Sequence, residues 1–183
     1  MRLRNPISTC LALLLAISVL GNGSTSIPRN SPELVINQPA GKATLLSSYR
    51  GKVVMVAFLF LRSQKCMELA AIMNKLNAEL GSRGFQPLAI AFPAPQSDAN
   101  AELVGSMAEY LKLTYPLGYT NKESVDQYLG RGERELLRIP QVLIIDQSGV
   151  IRAQTGGQQA NLALEDESYL RALLEQMLRS RTK

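Results

Sequence analysis

The fold is decided by residues 50–80, which read RGKVVMVAFLFLRSQKCMELAAIMNKLNAEL. Residues 53–61 are apolar at every position, a pattern typical of a strand that is covered on both faces. Beyond Ser63, apolar side chains recur at spacings of three and four, which marks one face of a helix: Cys66, Leu69, Met73, Leu76 and Leu80. The stretch therefore predicts a buried strand that leads directly into a helix, with Ser63 as its N-cap.

Cys66 falls in the first turn of this predicted helix. The N–H groups and the dipole at a helix N-terminus, together with the basic neighbours Arg62 and Lys65, lower the pKa of a thiol and favour its reactive thiolate. Cys66 also continues the apolar face of the helix, and burial there raises the pKa and covers the sulfur. The sequence leaves both interpretations open: a reactive thiol or a small core residue.

Composition excludes several kinds of chemistry. The chain has no His, which removes His-based acid–base catalysis and His metal sites. Its net charge of +5 is not gathered into a basic stripe, so nucleic-acid binding is not predicted. We predict neither a metal nor a cofactor. Because aromatic residues make up only 5% of the chain and Trp is absent, the core is expected to be aliphatic.

The N-terminus has the pattern of a secretory signal peptide over residues 1–23. Arg2 and Arg4 precede an apolar segment, residues 11–20, which is shorter than the roughly 20 residues of a spanning helix. The pattern predicts an extracytoplasmic protein, periplasmic or secreted, with an uncleaved membrane anchor as the alternative. Cleavage would remove Cys10 and leave Cys66 without an intramolecular disulfide partner.

The remaining chain predicts one domain, residues 33–183, after a disordered lead-in at residues 24–32. The predicted elements are strands at 34–36, 43–46, 85–92, 142–145 and 150–153, an extended piece at 114–117, and helices through Val104–Leu111, at 122–129 and at 166–179. Ser97 or Asp98 is the expected cap of the first of these helices. Strands that alternate with helices and end in a hairpin indicate an α/β fold whose mixed sheet has an antiparallel edge.

Segments along this chain resemble, in order, the extracytoplasmic thioredoxin-like proteins and the related alkyl hydroperoxide reductase/thiol-specific antioxidant (redoxin) proteins. The matching segments are LLSSYRGKVVMVAF at 45–58, SQKC at 63–66, LKLTYPLGY at 111–119 and RIPQVLIIDQSGVI at 138–151. The resemblance implies a thioredoxin-like fold, a central mixed β-sheet flanked by helices on both faces. It also implies that Pro140 is cis and, with Ile139, shapes a groove where an extended partner chain docks. An ordinary trans proline before an edge strand is the alternative.

The motif departs from the reductases that it resembles, because Ser63 stands where they carry the first cysteine of Cys-x-x-Cys. That cysteine attacks a disulfide and the second one resolves the mixed disulfide, so the two-cysteine cycle is not available here. Ser-x-x-Cys also resembles peroxiredoxins, in which the hydroxyl bonds to the thiolate. However, their proline would fall at Leu59, and Arg138, two residues before Pro140, is not assigned their thiolate-assisting role.

Two functions remain as hypotheses. In the first, the chain is a thiol redox protein in which Cys66, assisted by Ser63, attacks a protein disulfide or a peroxide, and an external thiol reductant resolves the product. In the second, the chain is a binding module without catalysis, because fold alone does not fix function. Its groove would then hold an extended peptide or partner protein, with these supporting residues: Pro140, Ile139, Arg62, Lys65 and Arg138.

Overall fold

The computed structural model describes residues 26–94, 98–131, 136–156 and 160–180. The predicted signal peptide lies outside these residues. The strands are β1 (Arg29–Asn30), β2 (Val35–Asn37), β3 (Ala43–Leu45), β4 (Val53–Leu59), β5 (Phe85–Ala91), β6 (Leu117–Tyr119), β7 (Gln141–Ile145) and β8 (Val150–Gln154). The α-helices are α1 (Gln64–Leu80), α2 (Ala101–Tyr110), α3 (Lys122–Leu129) and α4 (Glu167–Arg179), and 3-10 helices span Leu46–Tyr49, Gly81–Arg83 and Leu162–Glu165. Among the residues described, no helix is both long and apolar enough to cross a membrane.

The strands form one mixed sheet in the order β1-β8-β7-β4-β5-β6-β2-β3. β4 lies near its centre, parallel to β5 with Val53 opposite Phe85, and antiparallel to β7 with Phe58 opposite Gln141. β5 and β6 are also parallel, whereas β7 and β8 form the predicted hairpin. The predicted mixed sheet is therefore confirmed.

Strand β4 separates two hydrophobic cores, which explains why its sequence does not alternate. Val53, Met55, Ala57 and Leu59 belong to the core under α1, α2 and α4, whereas Val54, Val56 and Phe58 belong to the core under α3. Every residue of β4 is buried because each face of the strand is covered by helices. The expected thioredoxin-like arrangement, with helices on both faces, is confirmed.

Two predicted strands have boundaries that are wrong by two residues or more, whereas the other predicted strand ends agree to within one residue. β4 ends at Leu59, not at Leu61, because the chain turns there: the Ser63 N–H donates to the Phe60 carbonyl at 3.2 Å. The extended piece predicted at 114–117 begins later, as β6. Pro116 has no N–H to contribute to the sheet, and regular pairing starts after it.

The predicted cap of α2 is also wrong. Asn100 is the N-cap, and its side-chain oxygen accepts from the Leu103 N–H at 3.0 Å. Asp98 instead accepts from the N–H of Ala99 at 2.8 Å, and Ser97 lies outside the described residues. Asn and Asp are about equally good N-caps, so residue type alone could not decide between Asp98 and Asn100.

The prediction of a disordered lead-in is wrong for Arg29–Asn30, which forms β1 and pairs antiparallel with β8. The Arg29 guanidinium donates to the Tyr128 carbonyl at 3.5 Å, and the Ser31 and Tyr128 hydroxyls lie 2.7 Å apart in a hydrogen bond. A strand of two residues has no sequence periodicity, and tertiary contacts hold this one in place.

Candidate functional site

Ser63 lies between β4 and α1, at the N-cap position that the sequence predicts. Its backbone is extended, with φ −93° and ψ 123°, and its carbonyl accepts from the Met67 N–H at 3.0 Å. Its side chain, however, makes no capping hydrogen bond to α1. The hydroxyl bonds instead to the Cys66 thiol. The predicted side-chain cap is therefore wrong, and Ser63 acts on the cysteine one turn later.

Cys66 points inward and is only 2% exposed, in the core between the sheet and α1. Burial raises the pKa of its thiol, and the carboxylate of Glu165 acts in the same direction. Hydrogen bonds with the Ser63 side chain and the Phe60 backbone oppose this rise without reversing it. Of the two interpretations that the sequence left open, the raised pKa agrees with the buried one, because desolvation outweighs the groups that favour the thiolate.

The two predicted basic residues next to the motif, Arg62 and Lys65, are both exposed. Neither makes a hydrogen bond or an ion pair with any residue that the structure describes. Both side chains therefore place positive charge on the surface near Ser63, and neither is bonded to the buried thiol.

Arg138 is bound to Glu165, a residue that sequence reasoning missed. The Arg138 Nη2 lies 3.0 Å from the Glu165 Oε1, and its Nε donates to the same oxygen at 3.1 Å. Arg138 thus engages a carboxylate that itself acts on the Cys66 thiol. No motif marked Glu165, since it reaches the site only through the 3-10 helix Leu162–Glu165.

Ile139 and Pro140 immediately precede β7, which pairs with β4, the strand that leads to Ser63. The peptide bond between them is cis, Pro140 is buried and Ile139 is half-buried. Phe60 and Ile139 both pack against each of the two hydrophobic cores. Neither the N–H nor the carbonyl oxygen of Ile139 is hydrogen-bonded within the part of the chain described.

Comparison with known proteins agrees with the fold described above. A sequence model of the AhpC/TSA family matches residues 28–154. The chain belongs to the AhpC/TSA family. No curated protein sequence matches it.

Solved structures with the same fold include proteins of thiol–disulfide chemistry. One is a candidate protein disulfide isomerase from Bacteroides thetaiotaomicron, 26% identical, with a TM-score of 0.65 over 85% of this chain and 91% of that one. Another is a thioredoxin-family thiol:disulfide interchange protein from Chlorobium tepidum TLS, 19% identical, with a TM-score of 0.66 over 84% and 98%. A thiol:disulfide interchange protein from Bacteroides sp. is 18% identical, with a TM-score of 0.65 over 86% and 93%.

This AhpC/TSA-family chain also has an apolar cleft beside Cys66, between α1 and α2. The cleft is small, with a volume of about 10 Å³, which is room for roughly one water molecule. Its walls include Phe60, Leu61, Met67, Met107, Leu111 and Leu113. The sequence did not reveal it, because α1 and α2 are far apart in the chain and only the fold brings their apolar side chains together.

Proposed function

We propose that this protein is a partner-binding member of the AhpC/TSA family, which holds an extended polypeptide beside Ile139 without exchanging thiols. One observation carries the proposal: Ser63 stands at the position of the attacking cysteine, and the retained Cys66 is only 2% exposed. The chain has no third cysteine besides Cys66 and Cys10. The site therefore presents no accessible nucleophile to a partner's disulfide.

The chemistry of thiol exchange supports this choice. Exchange requires a thiolate to attack one sulfur of the disulfide and the other sulfur to leave, so the attacking sulfur must be ionised and accessible. In the resting fold, burial acts against both conditions, since it raises the pKa of the Cys66 thiol and surrounds it with apolar side chains. The buried thiol matches the resolving cysteine of the reductases, which acts only after a first attack.

The free backbone of Ile139 supplies the binding element. An extended chain can pair with an exposed N–H and C=O as an added strand does, and such main-chain bonds provide affinity without a sequence requirement. Pro140 is buried directly after Ile139, and the Arg138 carbonyl is already occupied because the Gln141 side chain donates to it at 2.7 Å. A docking chain would therefore meet an unoccupied donor and acceptor at one residue.

Backbone amide spectra of the labelled protein test this function. We expect that a cysteine-free, acetylated and amidated peptide of extended conformation shifts the Ile139 amide and slows its hydrogen exchange. The same peptide N-methylated at its central residue is the matched control, and it should bind less because it lacks one main-chain donor. A Cys66→Ala variant should bind the unmodified peptide as well as the wild type does. If no extended peptide affected the Ile139 amide, or if N-methylation made no difference, the proposal would be wrong.

A second function is favoured by the hydrogen bond between Ser63 and Cys66. In a thiol peroxidase this bond stabilises the thiolate, which attacks one peroxide oxygen and breaks the O–O bond. The products are a sulfenic acid and water or an alcohol. One external thiol then condenses with the sulfenic acid to a mixed disulfide and water, and a second external thiol displaces Cys66 as a reduced thiol. Hydrogen peroxide consumption in the presence of an external thiol, lost in Cys66→Ala, would favour this function over partner binding.

An extracytoplasmic location is part of the same proposal. It is supported by the basic, apolar and small-residue pattern of residues 1–23. Binding extended chains is useful in such a compartment, where newly exported proteins are still unfolded.

A further inference from the structure

We propose that two copies of this chain associate through the edge strand β3, which pairs with the β3 of the second copy as a symmetric antiparallel pair. A second copy at β3 lies away from Ile139, because four strands of the sheet separate β3 from β7, the strand that Ile139 precedes. Three features of this edge support the pairing: the direction of its free backbone groups, an exposed apolar pair and the charges at its two ends.

The free backbone groups follow from the way β3 pairs with β2, its only neighbour in the described sheet. Where this pairing begins, the Gln38 N–H donates to the Lys42 carbonyl at 2.8 Å. Residues of an antiparallel strand alternate between bonded and unbonded positions, so Thr44 is bonded to β2, whereas Ala43 and Leu45 direct their N–H and C=O groups away from it. Both residues are exposed.

One two-fold arrangement pairs these outward-facing residues with each other. With the axis at Thr44, Ala43 of each copy lies opposite Leu45 of the other, and each such pair exchanges two N–H···O=C bonds. The Ser48 hydroxyl donates to the Leu45 carbonyl at 2.6 Å, but this oxygen has a second lone pair. Unpaired groups at a sheet edge can bind another strand, and a two-fold axis closes the assembly at two copies.

The same edge carries an exposed apolar pair. Leu45 lies opposite Val35 of β2, so the two side chains share one face of the sheet. Val35 is 48% exposed and Leu45 is 47% exposed, whereas edges that are protected against pairing often carry charged side chains. The two-fold pairing places Ala43 of the second copy beside Leu45 on this face, and the apolar contact therefore continues across the edge.

Opposite charges lie at the two ends of β3. Lys42 is exposed directly before the strand, and the Glu33 carboxylate is held beyond its other end by the Ser47 N–H at 3.1 Å. Neither charge forms an ion pair within the described part of the chain. An axis at Thr44 brings Lys42 of each copy opposite Leu46 of the other, next to the residue that holds Glu33, so the two edges are complementary in charge.

Sedimentation velocity over a range of protein concentrations tests the dimer. Each copy contributes one short strand, so we expect a weak equilibrium between monomer and dimer that depends on concentration. Ala43→Pro should weaken dimerisation about tenfold or more, because it removes an outward N–H from each copy. Its circular dichroism should match that of the wild type, since β2 does not use this N–H and proline is tolerated in edge strands.

A second variant tests the apolar contact. Leu45→Lys should abolish the dimer, because it replaces the apolar side chain by charges that repel each other across the two-fold axis. Leu162→Lys is the matched control and should have little effect. It changes the net charge equally at a leucine that is 53% exposed, and it lies next to β8, where the Asn161 N–H donates to the Gln154 carbonyl at 3.0 Å.

Nuclear magnetic resonance of a mixture of two differently isotope-labelled preparations identifies the paired strands. We expect a contact between the Thr44 Hα atoms of the two copies, because unbonded antiparallel pairs approach most closely. This contact, together with loss of the dimer in Leu45→Lys, would establish the pairing even if Ala43→Pro did not fold. A protein that stayed monomeric at the highest attainable concentration, or that assembled beyond two copies, would overturn the proposal. A dimer without the Thr44 contact, or one that Leu45→Lys weakened no more than Leu162→Lys, would overturn it too.

Discussion

Replacing Ser63 by Cys is expected to give the protein a disulfide reductase activity that the wild type lacks. Ser63 is partly exposed at the N-cap of α1, and its side chain already contacts the Cys66 sulfur. A cysteine at a helix N-terminus has a lowered pKa, and a shift from about 8.5 to about 7 gives on the order of tenfold more thiolate at neutral pH. We therefore expect Ser63→Cys to reduce insulin disulfides, with dithiothreitol as the reductant, about tenfold or more faster than the wild type does.

Two further variants show whether the new activity uses the predicted cycle. Ser63→Cys combined with Cys66→Ala should attack substrate but accumulate the mixed disulfide, because the resolving thiol is absent. Ser168→Cys adds an exposed cysteine on α4 while it leaves Ser63 unchanged, and it should not accelerate the reaction. If the wild type already matched Ser63→Cys, Cys66 alone would be a competent nucleophile and the binding function would be contradicted.

Replacing Phe58 by Ala is expected to lower the free energy of unfolding by about 4 kcal/mol. Phe58 is 0% exposed in β4 and makes edge contacts with two rings, at centroid distances of 6.5 Å to Phe92 and 5.6 Å to Tyr128. The substitution leaves a cavity in the core under α3 and removes both aromatic contacts. Urea unfolding followed by circular dichroism should show a lower midpoint with an unchanged slope.

Phe58→Leu is the matched control for this prediction, and it should cost only about 1 kcal/mol because it keeps most of the apolar volume. If Phe58→Ala lowered the free energy of unfolding no more than Phe58→Leu does, the placement of β4 between two hydrophobic cores would be contradicted. Phe58 lies on the face of the sheet opposite α1, so this prediction tests the fold separately from the candidate site.

Much of the fold could be predicted because local patterns were strong. The uninterrupted apolar run of β4 and the inward face of α1 both follow from the sequence, and the predicted bounds of α3 agree with Lys122–Leu129. The short strand Arg29–Asn30 could not be predicted, because its pairing with β8 is a tertiary contact with no local signal.

The residues of the candidate site could be predicted only in part, and its electrostatics could not be predicted. Cys66 and Ser63 were identified from spacing, and their contact agrees with it. The direction of the Cys66 pKa shift could not be derived, because it depends on whether burial or the helix N-terminus dominates. The pairing of Arg138 with Glu165 could not be predicted from the sequence either, because only the fold brings the two side chains together.

The central claim, that Cys66 is a buried thiol and not a working nucleophile, predicts a definite dependence on pH. Because burial raises its pKa above the unfolded value of about 8.5, the folded state holds the proton more tightly. The resulting stabilisation is complete below about pH 8.5 and is lost as pH rises through the folded pKa. Relative to Cys66→Ala, the wild type should therefore lose stability in alkaline solution.

The most direct measurement is the rate at which iodoacetamide alkylates Cys66 in the folded protein as a function of pH, with the urea-unfolded protein as the reference. We expect slow alkylation whose midpoint lies above about 8.5, and rapid alkylation once the protein is unfolded. Fast alkylation of the folded protein with a midpoint well below 8.5 would show an accessible thiolate and contradict the account.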